Sequence, residues 1–595
     1  MYSSEKECIR GNKPFNQWVF LAFTFLKIIL FNIIWCSYTT FQPFSHIHLY
    51  FSTFTVAMLL TAPYYLFRSW KYQIGVLWLI DMLFITNLMY YRTYFTAIPL
   101  SSYLLVGNLA DFTQSVFDSI RWYDALFPLS TAAIASWYKR TQVEHTVYPA
   151  RRLYSLTVMI SCLIVIGYIA TGAFKKEYNG MKSSAHLYAS TTPYYTLFGN
   201  LYYDFTERTP HFTADDAKQM TQWLNQKPAL TPLSTQLPTR KNCILILAES
   251  LESWVLEQTV EEQEITPYLN RLLKDSTTLY APHVLTQVKG GRSIDAQLML
   301  CAGLLPINNG TYSVSYPNNL YYTLPKALKE QYGNRCYLLT VDKEKTWNQA
   351  QIARSFGVDT ILSYPDFKLT EAFGNRKRVG DVAFFAQCQE KMEKKEIWKE
   401  GEKVYMQFVT YSGHAPFILP DELKQLKFSA KIPEVMNNYM TTANYTDRAI
   451  GQFIDYLKTR PEYKETLIVI TGDHEGLAFH RHDLCQSEAG KNVVSNKQYT
   501  PFIVINSPIG MRYEPVMGQI DMYPTLLNLL HLENYPWSGI GESILSPHKK
   551  GIAVGSKLNV EGDTGFPEET KRLQEAHDVS DKIIRFDYFR QVAAQ

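Results

Sequence analysis

Outside the flanks of its apolar stretches this sequence has no long basic run, and its formal net charge is only +3. The electrostatic footprint of a nucleic-acid binder is therefore missing. Paired cysteines are missing as well: the eight cysteines include no CxxC pair, which removes zinc-ribbon and thioredoxin-type readings. Cys8, Cys36 and Cys162 fall in the apolar first third, and the spacing of Cys243, Cys301, Cys336, Cys388 and Cys485 selects no disulfide. A cleavable leader is not expected either. The first apolar run, Trp18 to Trp35, is too long for a signal-peptide core and has no small-residue cleavage site after it.

What is present is apolar and aromatic residues in unequal distribution. The mean hydropathy of −0.16 suits a soluble protein, but apolar runs crowd into the first third, flanked by many of the 41 Tyr and 33 Phe, as interface belts require. The runs cover about 18–35, 50–67, 74–91, 122–138 and 154–174, the fourth being the weakest. Lys6, Arg10 and Lys13 precede the first run, Arg68 and Lys71 separate the second from the third, and Lys139, Arg140, Arg151 and Arg152 separate the fourth from the fifth. The loop 37–49 has no Lys or Arg. Five crossings with this bias place the N-terminus in the cytoplasm and everything after Phe174 outside it. Asp81, inside the third run, reads as a partner for Lys27 in the first rather than as a functional carboxylate. The stretch 97–121 reads as amphipathic and interfacial.

Residues 175–238 form a polar, Tyr-rich linker with one helix at 214–226, opened by Thr213 as N-cap. From Asn242 short β-rich apolar runs alternate with helices: strands at 243–248, 336–341, 404–410, 467–471 and 502–505, helices at 268–275, 324–331 and 437–458. That alternation indicates an α/β sheet covered on both faces, whose functional groups sit beyond the carboxyl ends of the strands.

Polar residues stand at those ends. Glu249 follows CILILA, Asp473 and His474 follow LIVITG, and His414 follows the strand ending at Thr410. Ser293 lies in KGGRSIDAQ, a Gly-rich turn leading into an apolar helix, where the backbone can approach an anion and the helix N-terminus favours negative charge. Singly, each has a structural reading as a cap or a satisfied polar group. Their ordered recurrence after successive strands does not follow from such readings. Together they offer mostly oxygen donors and one imidazole, a set for one divalent cation, manganese first, with zinc or magnesium as alternatives. The chemistry is metal-assisted displacement with Ser293 as nucleophile.

The segments AESLESW (248–254), TPYLNRL (266–272), GGRSIDAQLM (290–299), TWN (346–348), SGHAPF (412–417), NYTDRAIGQFIDYL (444–457), TGDHEG (471–476), TPFIVI (500–505) and DMYPTLLNLL (521–530) carry a resemblance. With them the chain resembles the lipoteichoic acid synthase family, within the alkaline-phosphatase and sulfatase superfamily, over nearly its whole length. The resemblance implies about five transmembrane helices (1–174), a linker (175–238) and an extracytoplasmic sulfatase-like α/β catalytic domain (239–595). It assigns Glu249, Ser293, Asp473 and His474 to the metal and Ser293 to the family's Thr nucleophile. His414 becomes an acid-base candidate near the substrate phosphate. Trp347 lines the head-group pocket, with Arg292 and Asn348 as further substrate contacts, and Asp342, with Lys343, reads as a substitute for family contacts that this chain lacks. Ser293 would take the head group of a membrane phospholipid, releasing diacylglycerol, and pass it to an envelope glycan or glycolipid. The chain departs from the family at Arg292-Ser293, where Lys-Thr is usual, and at Thr340 and Gln349, where the family has a His and an Arg that help hold glycerol phosphate.

Competing functions separate on particular residues. A sulfatase needs C/S-x-P-x-R, whereas Ser293 is followed by Ile-Asp-Ala-Gln. A phosphoethanolamine transferase shares the anchor and the hydroxyl nucleophile and stands as the alternative, ahead of a simple phosphodiesterase. A metal-binding scaffold with a degenerate site is disfavoured because nucleophile and ligands are all present.

Overall fold

The computed structural model describes residues 17–36, 47–62, 70–94, 98, 119–141, 151–171, 212–227, 229–308, 310–374, 377–478, 480–537 and 539–593. The chain divides into two units, 1–208 and 209–595.

The first unit is helical: α1 (Gln17–Cys36), α2 (Ile47–Thr61), α3 (Trp70–Tyr94), α4 (Leu126–Thr141, entered through a 3₁₀ turn at Trp122–Ala125) and α5 (Arg151–Ala170). A helix meets each apolar run of the sequence. Among the described residues one stretch, 71–90 of α3, is long and apolar enough to cross a membrane by itself, and 19–35 and 155–167 are apolar but shorter. The segment 97–121 falls almost entirely outside the described residues.

Polar side chains tie these helices together. Lys27 of α1 donates to Asp81 of α3 at 2.5 Å, to the Phe127 carbonyl of α4 at 2.8 Å and to Ser130 Oγ at 2.8 Å. Thr131 of α4 donates to the second oxygen of Asp81. Lys27 is 3% and Asp81 1% exposed, so both charges depend on these contacts. Asp81 is thus the partner of Lys27, as its position in the third run suggests. Arg92 and Asp124 form a second buried pair, bidentate at 2.6 and 2.8 Å.

The second unit begins with α6 (Ala214–Leu224). Thr213 caps it by accepting from the Asp216 amide at 3.1 Å, and Asp216 accepts from the Thr213 amide in return. Next come β1 (Asn242–Ala248), β2 (Leu279–Leu285), α7 (Ser293–Ala302), α8 (Leu324–Tyr332), β3 (Arg335–Thr340), β4 (Thr360–Leu362), α9 (Asp381–Glu393) and β5 (Val404–Val409). They are followed by α10 (Glu434–Thr459), β6 (Thr466–Gly472), β7 (Tyr499–Ile505), α11 (Met522–Leu529), β8 (Ile552–Val554), β9 (Val560–Gly562) and α12 (Pro567–Arg585). The main sheet runs, from a short edge strand at Met511–Arg512, through β2, β7, β6, β1, β5, β3 and β4. β6, β1, β5, β3 and β4 are mutually parallel, whereas β7 runs antiparallel to both β6 and β2.

Burial on both faces explains the unbroken apolar strands. Cys243, Leu245 and Leu247 of β1 join one core cluster, and Ile244, Ile246 and Ala248 join the other. β2 escapes the sequence reading because Pro282 interrupts LYAPHVL. Its pairing with β7 shifts register between Thr500 and Phe502, opposite Pro282. Such a bulge is where a strand tolerates proline. Cys243, Cys301, Cys336 and Cys388 are buried free thiols, and burial holds all four above their ordinary pKa.

Removing one partner of a buried ion pair leaves an uncompensated charge. Asp81→Ala is therefore expected to destabilise the detergent-solubilised full-length protein by about 3–5 kcal/mol in denaturant unfolding of its helical signal. Replacing Lys27 by Met and Asp81 by Leu together should cost less than the single change.

Candidate active site

Parallel strand order brings distant residues to one edge. β6, β1 and β5 are neighbours, with Ala248 opposite Gly472 and Leu247 opposite Val409. Glu249, Asp473 with His474, and the loop 410–414 therefore leave the sheet side by side. Two glycines permit the approach. A Cβ on Gly472 would lie 1.9 Å from the Leu251 carbonyl oxygen, and one on Gly413 would lie 2.0 Å from that of Glu249.

Ser293, the first residue of α7, enters the same space. Its Oγ is 3.5 Å from Glu249 Oε2 and 3.4 Å from His474 Nε2. His474 Nε2 is 3.7 Å from Glu249 Oε1 and 3.4 Å from Asp473 Oδ2. One ligand atom each from Glu249, Asp473 and His474 lies within 4.8 Å of the others, and all three residues are buried.

Burial, and then the charge of Asp473, push Glu249 well above the usual carboxylate range. Burial, and then Arg292, hold His474 below the usual imidazole value, so the ring is neutral. Its Nδ1 lies 3.0 Å from the Glu475 carbonyl oxygen and 3.1 Å from Arg292 Nη2, and its Nε2 faces the cluster. Asp473 Oδ1 accepts from the amides of Ser250 at 2.7 Å and His474 at 2.8 Å. Asp473 Oδ2 is buried with no hydrogen-bond partner among the described residues. Two carboxyl groups, an imidazole nitrogen and a hydroxyl thus face one another. These donors fit one divalent cation, with mostly oxygen ligands and one nitrogen.

Arg292 is committed elsewhere. It donates to Glu475 Oε1 at 2.6 Å and to the Glu475 carbonyl at 3.1 Å. Burial opposes the charge of Glu475, but the Arg292 guanidinium holds it down to about 2. Arg292 takes positive φ, as do Trp347 and Asn348, a conformation that clusters at functional sites.

His414 is half-buried, stacks on Tyr411 with ring centroids 5.4 Å apart, and donates from Nδ1 to the Ala415 carbonyl at 2.7 Å. That tautomer keeps a lone pair on Nε2. Asp342, Trp347 and Asn348 lie further along the edge. Asp342 follows β3, which is two strands from β1 through β5, or about 10 Å at the usual strand spacing. Arg378 donates from Nε to Asp342 at 2.9 Å. Asn348 donates to the Ser313 carbonyl at 2.8 Å.

Several residues that organise the site are missing from the sequence reading. Glu252 accepts from the amides of Gly476 and Leu477 and from Arg481. Gln519 donates to the Asp473 carbonyl at 2.7 Å. Asp381 accepts from the amides of Tyr411 and Ser412 and from Thr446 Oγ1. Glu252, Glu475 and Thr446 lie inside quoted motifs, so proximity to the motifs was the available signal. Asp381 and Gln519 carry none.

A family model described as Sulfatase matches residues 241–532, and one described as Lipoteichoic acid synthase N-terminal domain matches residues 4–190. Among curated proteins, the chain is similar to Lipoteichoic acid synthase-like YvgJ of Bacillus subtilis, at 24% identity over 502 residues, covering 80% of this chain and 78% of that one. It is also similar to lipoteichoic acid synthase of Staphylococcus aureus, at 21% identity over 554 residues, covering 86% of this chain and 84% of that one. Among solved structures it is similar to the lipoteichoic acid synthase LtaP from Listeria monocytogenes, with a TM-score of 0.51 and 17% identity, over 62% of this chain and 98% of that one. That last likeness concerns the fold alone.

Because burial and the charge of Asp473 raise the affinity of Glu249 for its proton, a cation bound there competes with that proton. Calorimetry of manganese binding to the full-length protein in buffers of different ionisation enthalpy is expected to show proton release at neutral pH and tighter binding as pH rises. Asp473→Ala should weaken binding by more than about 100-fold, beyond the losses typical of outer-shell changes.

Proposed function

We propose, for a chain that belongs to the lipoteichoic acid synthase-like family, a metal-dependent transfer of a phospholipid head group of the phosphoglycerol type. The head group passes through a covalent ester on Ser293 to a hydroxyl of an envelope glycan or glycolipid. The observation that carries this reading is the placement of Ser293 Oγ against Glu249 at 3.5 Å and His474 at 3.4 Å, at the N-terminus of a buried helix. A structural serine cap needs none of these neighbours.

A cation held by Glu249, Ser293, Asp473 and His474 would lower the pKa of the Ser293 hydroxyl and offset charge on the phosphoryl group. In the first half-reaction Ser293 Oγ bonds to phosphorus and the bond from phosphorus to the diacylglycerol oxygen breaks. His414 Nε2 is the candidate to take the proton that Ser293 Oγ gives up and to pass it to the departing oxygen. In the second half the acceptor oxygen bonds to phosphorus and the bond to Ser293 Oγ breaks. The acceptor's proton passes to His414 and from it to Ser293 Oγ. Arg292 keeps Glu475 and His474 in place beside this exchange. Trp347, Asn348 and Asp342 are the head-group contacts in this reading.

Pairing of Asp342 with Arg378 supports a polyol head group over phosphoethanolamine, because the guanidinium compensates the carboxylate charge that an ammonium would seek. The reading takes 1–174 as a multi-pass anchor in a bacterial cytoplasmic membrane, 175–238 as a linker and 239–595 as an extracytoplasmic catalytic domain.

Full-length protein incubated with mixed phospholipids and manganese is expected to gain a phosphoglycerol adduct on Ser293, read by intact mass and peptide mapping. Ser293→Ala should abolish it and lower transfer by at least about 10³-fold, whereas Ser293→Thr should retain it. A phosphoethanolamine adduct would select the second reading. No adduct on folded, manganese-loaded protein would contradict both.

A further inference from the structure

The turn that presents Ser293 is fixed from inside by a side chain that the chemistry above does not use. Asp295, in the first turn of α7, is 1% exposed. Its Oδ2 accepts from the amides of Lys289 and Gly291, both at 2.9 Å. The carboxylate therefore reaches back under the Gly-rich turn and ties it to the helix that follows. The fit is close: a Cβ on Gly291 would lie 2.2 Å from Asp295 Oδ1. Arg292, between these contacts and the nucleophile, sits at φ 50° and ψ −116°, which a side-chain-bearing residue holds only when its surroundings impose it.

Lys289 fastens the other end of the turn. Its buried ammonium donates to the Pro306 carbonyl at 2.9 Å and to Asn308 Oδ1 at 2.8 Å. Asn308 is itself held by α12: its amide donates to Asp581 Oδ1 at 2.8 Å and its Nδ2 to Asp578 Oδ1 at 3.1 Å. Ser580 of α12 donates to the Leu305 carbonyl at 2.7 Å. The last long helix of the chain, far from Ser293 in sequence, thereby anchors the segment that holds Lys289. A carboxylate placed two residues from a site that receives phosphate would repel it. Here its charge is spent on two amides and faces the nearby ammonium of Lys289.

We infer that Asp295 is a positioning residue for Ser293: with Lys289 it locks the turn 289–292 so that Ser293 Oγ points at Glu249 and His474. This rests on the reading of Ser293 as the nucleophile. The lock acts on the aim of Ser293 and leaves Glu249, Asp473 and His474, and the head-group contacts Trp347, Asn348 and Asp342, untouched. A misplacement of about 1 Å is enough to slow such a reaction about 100-fold.

The test uses the full-length protein with phosphatidylglycerol and manganese, comparing wild type, Asp295→Leu, Asp295→Asn and Lys289→Met. Asp295→Leu keeps the shape and removes the acceptor. It is expected to slow formation of the Ser293 adduct about 100-fold, with donor KM and manganese affinity within about threefold of wild type. Asp295→Asn, whose amide oxygen can still accept both N–H groups, should recover at least about tenfold of that loss. Lys289→Met, which is read if Asp295→Leu does not fold, should slow the same step by about tenfold at unchanged KM. An adduct rate for Asp295→Leu within about threefold of wild type would overturn the lock. So would a loss that Asn does not relieve, or one matched by an equal loss of manganese affinity. Absence of a Ser293 adduct in wild type itself would overturn the nucleophile reading, and the lock with it.

Discussion

Everything at the active site depends on two buried carboxylates, Glu249 and Asp473, being held against one another with an imidazole lone pair beside them. Burial and mutual repulsion make that arrangement unfavourable without a cation, as the raised affinity of Glu249 for its proton shows. The surrounding structure is built to impose it. Parallel strands β1 and β6 bring the two side chains to one edge. The amides of Ser250 and His474 occupy one oxygen of Asp473 and leave the other, Oδ2, turned to the cluster. The Glu475 carbonyl and Arg292 hold the Nδ1 edge of His474 and leave Nε2 turned to the cluster.

A second ring of contacts serves the same end. Glu252 with Arg481 ties the loop after β6 to the loop after β1, and Tyr439 of α10 donates to the Ser250 carbonyl at 2.6 Å. Asp381 steadies the turn that carries His414. Lys289, Asp295 and α12 steady the turn that carries Ser293. Glu252, Asp381 and Asp295 are buried carboxyl groups that accept from backbone amides, the kind of engagement that lets a buried polar network rigidify a site. In the N-terminal unit Lys27 and Asp81 follow the same rule, joining α1, α3 and α4.

Much of this was legible in the sequence because the central strands are buried on both faces and so read as unbroken apolar runs. The polar residue that ends each run, as Glu249 ends CILILA, then stands out. Legibility failed where local pattern and tertiary structure disagree. β2 carries a proline that only its bulge against β7 accommodates. The antiparallel course of β7 leaves no mark on TPFIVI. The ion pair of Arg292 with Glu475, an acceptor 183 residues away, leaves no mark on the local sequence. Asp381 and Gln519 act through backbone groups, which no side-chain motif records. Apolar runs located the N-terminal helices, but the described residues include one stretch, 71–90, that meets the length and composition of a membrane span alone.

Stereochemistry at phosphorus tests the central claim most directly. A donor phospholipid carrying a chiral phosphorothioate head-group linkage would be supplied to the full-length protein, and the configuration of the transferred product determined. Two successive in-line displacements through Ser293 predict net retention. Net inversion would mean direct transfer from donor to acceptor, and would contradict a covalent intermediate on Ser293.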